Sequence, residues 1–370
     1  MKRAKGRLTK YIEIYEWVKQ QIESKKLKSG ERIYSENELM ELFSVSRQTV
    51  RQALSKLEYE KAIERRQGSG TYVCEKTSRS MPVNSMQIAV ITTYVDEYIF
   101  PKIIGEIEST ISHAGYTMQI MFTHNSVEKE RAILQKLLKE NMVDGIIIEP
   151  TKSALPNPNI AVLEQMIAAK IPLVFLNSYY PGLQVPYVSL NDKLAGKAAT
   201  KHLIEQGHRK IGAVFKSDDG QGHLRYAGYV EALLEEGYSI REQHIIWITT
   251  EDIRHMEKEA DRYLNKIGEN TAYLCYNDKV ASYFMKILDT HHISVPEAIS
   301  VMGIDDADMA KHMKVPLTTM QNPLKSLGAI SAEVLLKQIR GEQVERKYEL
   351  PPLLIKRDSV KKVTGISRLD

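Results

Sequence analysis

From Gln87 onward, short apolar runs alternate with longer amphipathic stretches, and no other feature restricts the fold as much. The apolar runs fall at 88–93, 118–122, 145–148, 173–176, 211–215, 273–276 and 299–303. Between most of them lie helical patterns at 101–114, 127–141, 160–169, 192–206, 224–236, 254–267 and 279–291. Strands that alternate with helices of ten or more residues predict an α/β fold of doubly wound parallel sheets. About 280 residues is too much for one such sheet, so two lobes are expected. An eight-stranded α/β barrel is the alternative, although only seven good strand runs are present.

Residues 1–75 follow a different pattern. A helix is expected over 9–26, where Ile12, Tyr15, Val18 and Ile22 recur at spacings of three and four. Ser35 with Glu38 has the spacing of a capping box, opening a helix that turns Leu39, Leu42 and Phe43 inward. Ser46 caps the next helix, 47–60, with Val50, Leu54 and Leu57 on its inner face. Residues 62–66 alternate like a strand, Gln67-Gly68-Ser69-Gly70 makes a tight turn, and 71–73 returns. The expected organisation is a winged helix-turn-helix at 1–75, a polar linker at 76–86 holding Pro82, a two-lobed domain at 87–363 and a tail at 364–370.

Charge separates the same two parts. Residues 1–76 carry 17 Lys and Arg against 11 Asp and Glu, and the remainder carries 34 against 36. A basic head on a near-neutral body suits a nucleic-acid reader. No apolar run nears the roughly 20 residues of a membrane helix, and MKRAKGRLTK is followed by no signal-peptide core, so a cytoplasmic protein without a membrane partner is expected. Cys74 and Cys275 are too few and too far apart for a disulfide framework or a metal motif. No cofactor or metal is expected. The enzyme alternative rests on Asp218-Asp219 and Asp305-Asp306, carboxylate pairs of the kind sugar hydrolases use. Against it, no nucleophile elbow, P-loop, zinc motif or dinucleotide fingerprint is present.

Helix, turn, helix and a glycine-rich hairpin place the second helix in a DNA major groove, with the hairpin beside it. The exposed side of 47–60 offers Arg47, Gln48, Arg51 and Gln52 to base edges, while Ser35, Ser46 and Thr49 suit phosphates. The stretch SENELMELFSVSRQTVRQALSKLEYEKAIERRQGSGTYV resembles the DNA-binding domain of the GntR family. That resemblance implies DNA contacts at Ser35, Glu36, Arg47, Thr49, Arg51 and the wing residues Gln67, Gly68, Ser69 and Gly70. Tyr34 and Lys61 depart from it, standing where a proline and a glycine are usual.

A sugar needs planar polar groups at strand ends and aromatic surfaces to pack on. Tyr98, Phe100, Lys102, Glu149, His223, Arg225, Asn277, Asp305 and Asn322 fall at such places, Asn322 at a crossing between lobes. Asp305 has a competing reading as a helix cap. HLIEQGHRKIGAVF, LRYAGYVEALLEEG, LCYNDKVA, ISVMGIDDADMA and LTTMQNPLKSLG together resemble the LacI/GalR regulators and the periplasmic sugar-binding proteins. The resemblance implies a sugar site that uses Arg225, Asn277 and Asp305, a homodimer, and a repressor of transcription that a sugar releases from operator DNA. YIFPKIIGEIES and FKSDDGQGHLR narrow it to regulators that answer to arabinose, which makes L-arabinose the implied effector.

Overall fold

The computed structural model describes residues 10–24, 26–59, 62–66, 69–74, 85–94, 98–140 and 142–363. The chain forms two compact units, Met1–Val83 and Asn84–Asp370. The expected tail at 364–370, and most of the expected linker at 76–86, lie outside the described residues.

In the first unit, α1 (Lys10–Glu23), α2 (Glu36–Phe43) and α3 (Arg47–Tyr59) pack around Ile14, Val18, Leu39, Val50, Leu54 and Leu57. Strands β1 (Ile63–Arg66) and β2 (Gly70–Val73) pair antiparallel, Arg66 opposite Gly70. The capping box forms as its spacing predicts: Ser35 Oγ accepts from the Glu38 amide, and the Glu38 carboxylate accepts from the Ser35 amide. On α1, Ile14, Tyr15 and Val18 are buried and Ile12 is partly buried. One core assignment is corrected. Leu42 is 56% exposed, because α2 has only eight residues and spends its inner face on Leu39.

In the second unit the chain runs β3 (Gln87–Thr92), α4 (Phe100–His113), β4 (Thr117–Phe122), α5 (Val127–Glu140), β5 (Gly145–Ile148), α6 (Ile160–Ala168), β6 (Leu173–Leu176) and β7 (Tyr187–Leu190). Next come α7 (Asp192–Glu205), β8 (Ile211–Lys216), α8 (Gly220–Glu235), β9 (Ile245–Ile248), α9 (Thr250–Ile253), α10 (Ala260–Leu264), β10 (Ala272–Cys275), α11 (Asp278–Thr290), β11 (Ser300–Asp305) and β12 (Thr318–Gln321). It ends with α12 (Leu324–Ile339), β13 (Lys347–Leu350) and β14 (Leu353–Ile355). The strands form two six-stranded sheets, ordered β13-β7-β6-β5-β3-β4 and β14-β12-β11-β10-β8-β9. All neighbours are parallel except β12 and β14. Two sheets replace the barrel alternative. The chain passes between lobes after β7, after β12 and between β13 and β14.

The central strands are apolar on both faces, as burial under helices on both sides requires. The helix expected over 254–267 is broken: α9 and α10 are short, with turns between them. Strands β7, β9, β12, β13 and β14 were not among the expected runs.

His208 follows α7 and ties two segments together. Its ring nitrogens lie 2.8 Å from Thr271 Oγ1 and 3.2 Å from the Lys361 carbonyl. Burial lowers its pKa from 6.5 to about 4. The folded value lies below the unfolded one, so this stability is complete above about pH 6.5 and is lost as pH falls toward 4. Urea unfolding is expected to lose up to roughly 3 kcal/mol through this window, and His208→Gln should flatten that part of the profile. An unchanged slope in the variant would remove His208 from the acid sensitivity.

Candidate nucleic-acid interface and ligand cleft

On the first unit, Arg47, Gln48, Arg51 and Gln52 stand exposed along the N-terminal half of α3. Arg51 Nε donates to both oxygens of Glu36 at 3.0 and 3.1 Å. Arg47 Nη2 donates to Asn37 Oδ1 at 2.9 Å, and its Nε lies 3.7 Å from Glu36. Glu36 thus pairs with both arginines, and its carboxylate is suited to accept from a cytosine amino group at a base edge rather than to meet a phosphate. It braces the two arginines. Ser46 Oγ caps α3 and lies 2.9 Å from Thr49 Oγ1. In the wing, Ser69 Oγ lies 2.6 Å from the Tyr72 hydroxyl. Gly70 has φ +123°, and a Cβ there would stand 2.7 Å from Arg32 Nε, so the turn requires glycine. Gln67 and Gly68 lie outside the described residues.

The second unit holds a cavity of about 410 Å³ between its lobes, lined from the carboxyl ends of strands in both sheets. One lobe contributes Thr93, Tyr98 and Phe100 beyond β3, Glu149 after β5 and Asn177 after β6. The other contributes Lys216 at the end of β8, Asp219 and Arg225 around the start of α8, Thr250 after β9, Tyr276 and Asn277 after β10, and Asp305 at the end of β11. Hydrogen bonds draw the lobes together: Gly220 N to Ser153 Oγ at 2.9 Å, and Asn125 Nδ2 to Thr250 Oγ1 at 2.6 Å.

Arg225, 1% exposed, organises the floor. Its Nε donates to Asp192 Oδ1 at 2.8 Å, Nη1 to the Tyr276 carbonyl at 2.5 Å, and Nη2 to Asp305 Oδ1 at 3.5 Å. Burial pushes the Asp305 carboxyl up, opposed by the Arg225 guanidinium. Lys216 Nζ lies 2.9 Å from Asp219, which also accepts from the Tyr276 hydroxyl at 2.6 Å. Burial alone would raise Asp219, but Lys216 and these hydrogen bonds hold it below its ordinary value. In the facing lobe, burial raises Glu149, whose Oε2 accepts from Thr93 N and Oγ1 at 2.8 and 2.6 Å. Asn177 Oδ1 is buried beside it with no hydrogen-bond partner among the described residues.

Of the expected ligand residues, Tyr98, Phe100, Glu149, Arg225, Asn277 and Asp305 line this cleft. Asn277 also caps α11 through its Oδ1, which accepts from Val280 N at 2.9 Å. Three do not line it. Lys102 sits two residues beyond Phe100 on α4, rotated to the outside, and pairs with Asp308 at 2.8 Å. His223 lies 2.9 Å from the Ser217 carbonyl and packs beside Trp247. Asn322 stands behind Asp305, donating to its Oδ1 at 3.3 Å. Asp305 ends a strand and caps no helix, whereas Asp219 caps α8.

Lys216, Asp219, Asn177, Thr250 and Tyr276 were missed as cleft residues. Each follows a strand closely, so strand ends alone carried a usable signal for them. Asp218 accepts from Thr250 and lies 3.6 Å from Lys216, which Asp219 meets at 2.9 Å, so this pair stays together on one cation; the second pair is split, Asp305 facing the cleft while Asp306 turns to Arg357 at 2.6 Å. Among the described residues, no cluster of His, Cys, Asp and Glu is arranged to hold a metal ion. No helix among them is long and apolar enough to cross a membrane.

A winged helix-turn-helix head followed by a two-lobed unit with a ligand-sized cleft defines the class of two-domain transcription regulators. Residues 10–73 match the bacterial regulatory proteins of the gntR family, and residues 200–360 match the periplasmic binding protein-like domain. The arabinose metabolism transcriptional repressor of Halalkalibacterium halodurans is 39% identical over 90% of this chain and 92% of its own. The repressor of the same name from Geobacillus stearothermophilus is 34% identical over 96% and 99%. The crystal structure of the transcription regulator CcpA of Lactococcus lactis shares the fold at 24% identity, with a TM-score of 0.67 over 74% of this chain and 99% of that one. The chain belongs to the family of these two repressors and is a transcriptional regulator, not an enzyme.

Proposed function

We propose that this protein represses transcription in the cytoplasm by binding operator DNA as a homodimer, and that L-arabinose in the cleft releases it. The observation that carries the reading is that each buried cation of the cleft floor is already met by two carboxylates: Lys216 by Asp219 and Asp218, and Arg225 by Asp192 and Asp305. Such a floor leaves no unpaired cation for an anionic ligand and offers carboxylate acceptors to the hydroxyls of a polyol, and the names of the two repressors supply arabinose. Arg225, Asn277, Asp305, Glu149 and Phe100 would hold the sugar. Ser35, Glu36, Ser46, Arg47, Gln48, Thr49, Arg51, Gln52 and the wing would hold DNA. The working domains are taken as 1–75, 87–363 and the linker between them.

Sugar favours the arrangement of the lobes in which it makes the most contacts, with coupling to DNA typically ~1–3 kcal/mol. Linkage makes this reciprocal: saturating operator should weaken L-arabinose binding by the factor by which L-arabinose weakens operator binding. Fluorescence anisotropy on labelled operator and calorimetry with and without operator give the two factors. No release by L-arabinose, or tighter sugar binding on DNA, would overturn the proposed sign. Sedimentation at saturating protein should show two chains per operator.

A further inference from the structure

Asp305 is placed to bind sugar, yet it is 3% exposed, and one of its two carboxylate oxygens is met by a side chain of the opposite lobe. The Tyr98 hydroxyl donates to Asp305 Oδ2 at 2.7 Å and accepts from the Asp278 amide at 3.1 Å. The other carboxylate oxygen is held by Asn322 and Arg225. Tyr98 adopts φ +64°, a left-handed backbone that is unfavourable for a bulky residue and persists only where surrounding contacts impose it. Its ring rests on the apolar core of its own lobe, so the hydroxyl is the part that bridges the lobes.

From this geometry we infer that Tyr98 is an internal stand-in for the effector: its hydroxyl occupies the place of a sugar hydroxyl on Asp305, latches the empty lobes together, and must be displaced for sugar to reach Asp305 Oδ2. The inference rests on the sugar reading of the cleft. A hydroxyl donates to a carboxylate and accepts from an amide at a single atom, so a sugar hydroxyl can take over both of these bonds. Tyr98 thereby sets the effector concentration at which the protein responds. The latch opposes sugar binding; a residue that contacted the sugar directly would favour it.

Tyr98→Phe keeps the ring and removes only the hydroxyl, and a thermal melt establishes that the variant is folded. Calorimetry with L-arabinose should show the variant binding roughly 10- to 100-fold tighter than the parent, the size expected for one competing charge-assisted hydrogen bond. Small-angle scattering without sugar should show the variant with the wider cleft, as a larger radius of gyration. Equal or weaker binding by the variant overturns the latch and leaves the sugar reading standing. If the parent gives no heat with L-arabinose, the sugar reading fails, and scattering alone decides the latch: an unchanged radius overturns it, and an increase supports it.

Discussion

Replacing Arg225 with alanine is expected to abolish the response to L-arabinose and to lower the unfolding free energy by about 3–5 kcal/mol, the cost of breaking a buried ion pair from one side. Arg225 is buried between Asp192 and Asp305, and its removal strands both carboxylates. Burial already pushes Asp192 and Asp305 up, against the pull of Arg225. Without the guanidinium both rise further and take up protons on folding. Raised folded values mean that the variant is relatively most stable below about pH 4 and loses that stability as pH climbs toward neutrality. Arg225→Lys should rescue little, because one ammonium cannot reach Asp192, the Tyr276 carbonyl and Asp305 in three directions. The DNA-reading head is a separate compact unit, so folded variant should still bind operator and remain bound when sugar is added. Calorimetry, urea unfolding and operator anisotropy test the three parts. Parental affinity for L-arabinose in Arg225→Ala would place the sugar elsewhere.

The second large effect is expected at the head. Arg51→Ala should cost about 1–3 kcal/mol of operator affinity if its guanidinium meets a guanine bidentately, and Arg47→Ala a similar amount. Both side chains are exposed and held by α2, Arg51 by Glu36 and Arg47 by Asn37, so little ordering remains to be done on binding. In a dimer each substitution occurs twice, which enlarges the loss. A base contact weakens operator binding more than binding to unrelated DNA, whereas a phosphate contact weakens both alike and reduces the salt dependence. Gel-shift titrations on both DNAs, at two salt concentrations, distinguish these outcomes. Parental operator affinity in both variants would remove α3 from recognition.

Much of this molecule was legible in order along the chain. The capping box at Ser35 and Glu38 and the inner face of α3 are local matters, decided by hydrogen bonds and apolar spacing within a few residues. The buried parallel strands announce themselves because both faces are covered, leaving continuous apolar runs such as Gly145–Ile148 and Leu173–Leu176. Strands at or near sheet edges do not: Lys347–Leu350 reads KYEL and was missed, being paired with one neighbour only.

The sequence by itself determined the two-part organisation, the α/β class and the strand ends at which a ligand site can form. Only the tertiary structure decided which side chains share the cleft. Phe100 and Lys102 are two residues apart, yet one faces the cavity and the other pairs with Asp308 outside it. Tyr98 and Asp305 are 207 positions apart and meet at 2.7 Å. The reason is physical: helix phase, the three crossings between lobes and the competition of Asp192, Tyr98 and Asn322 for the same charged groups are settled by packing across long separations, which local propensity does not encode.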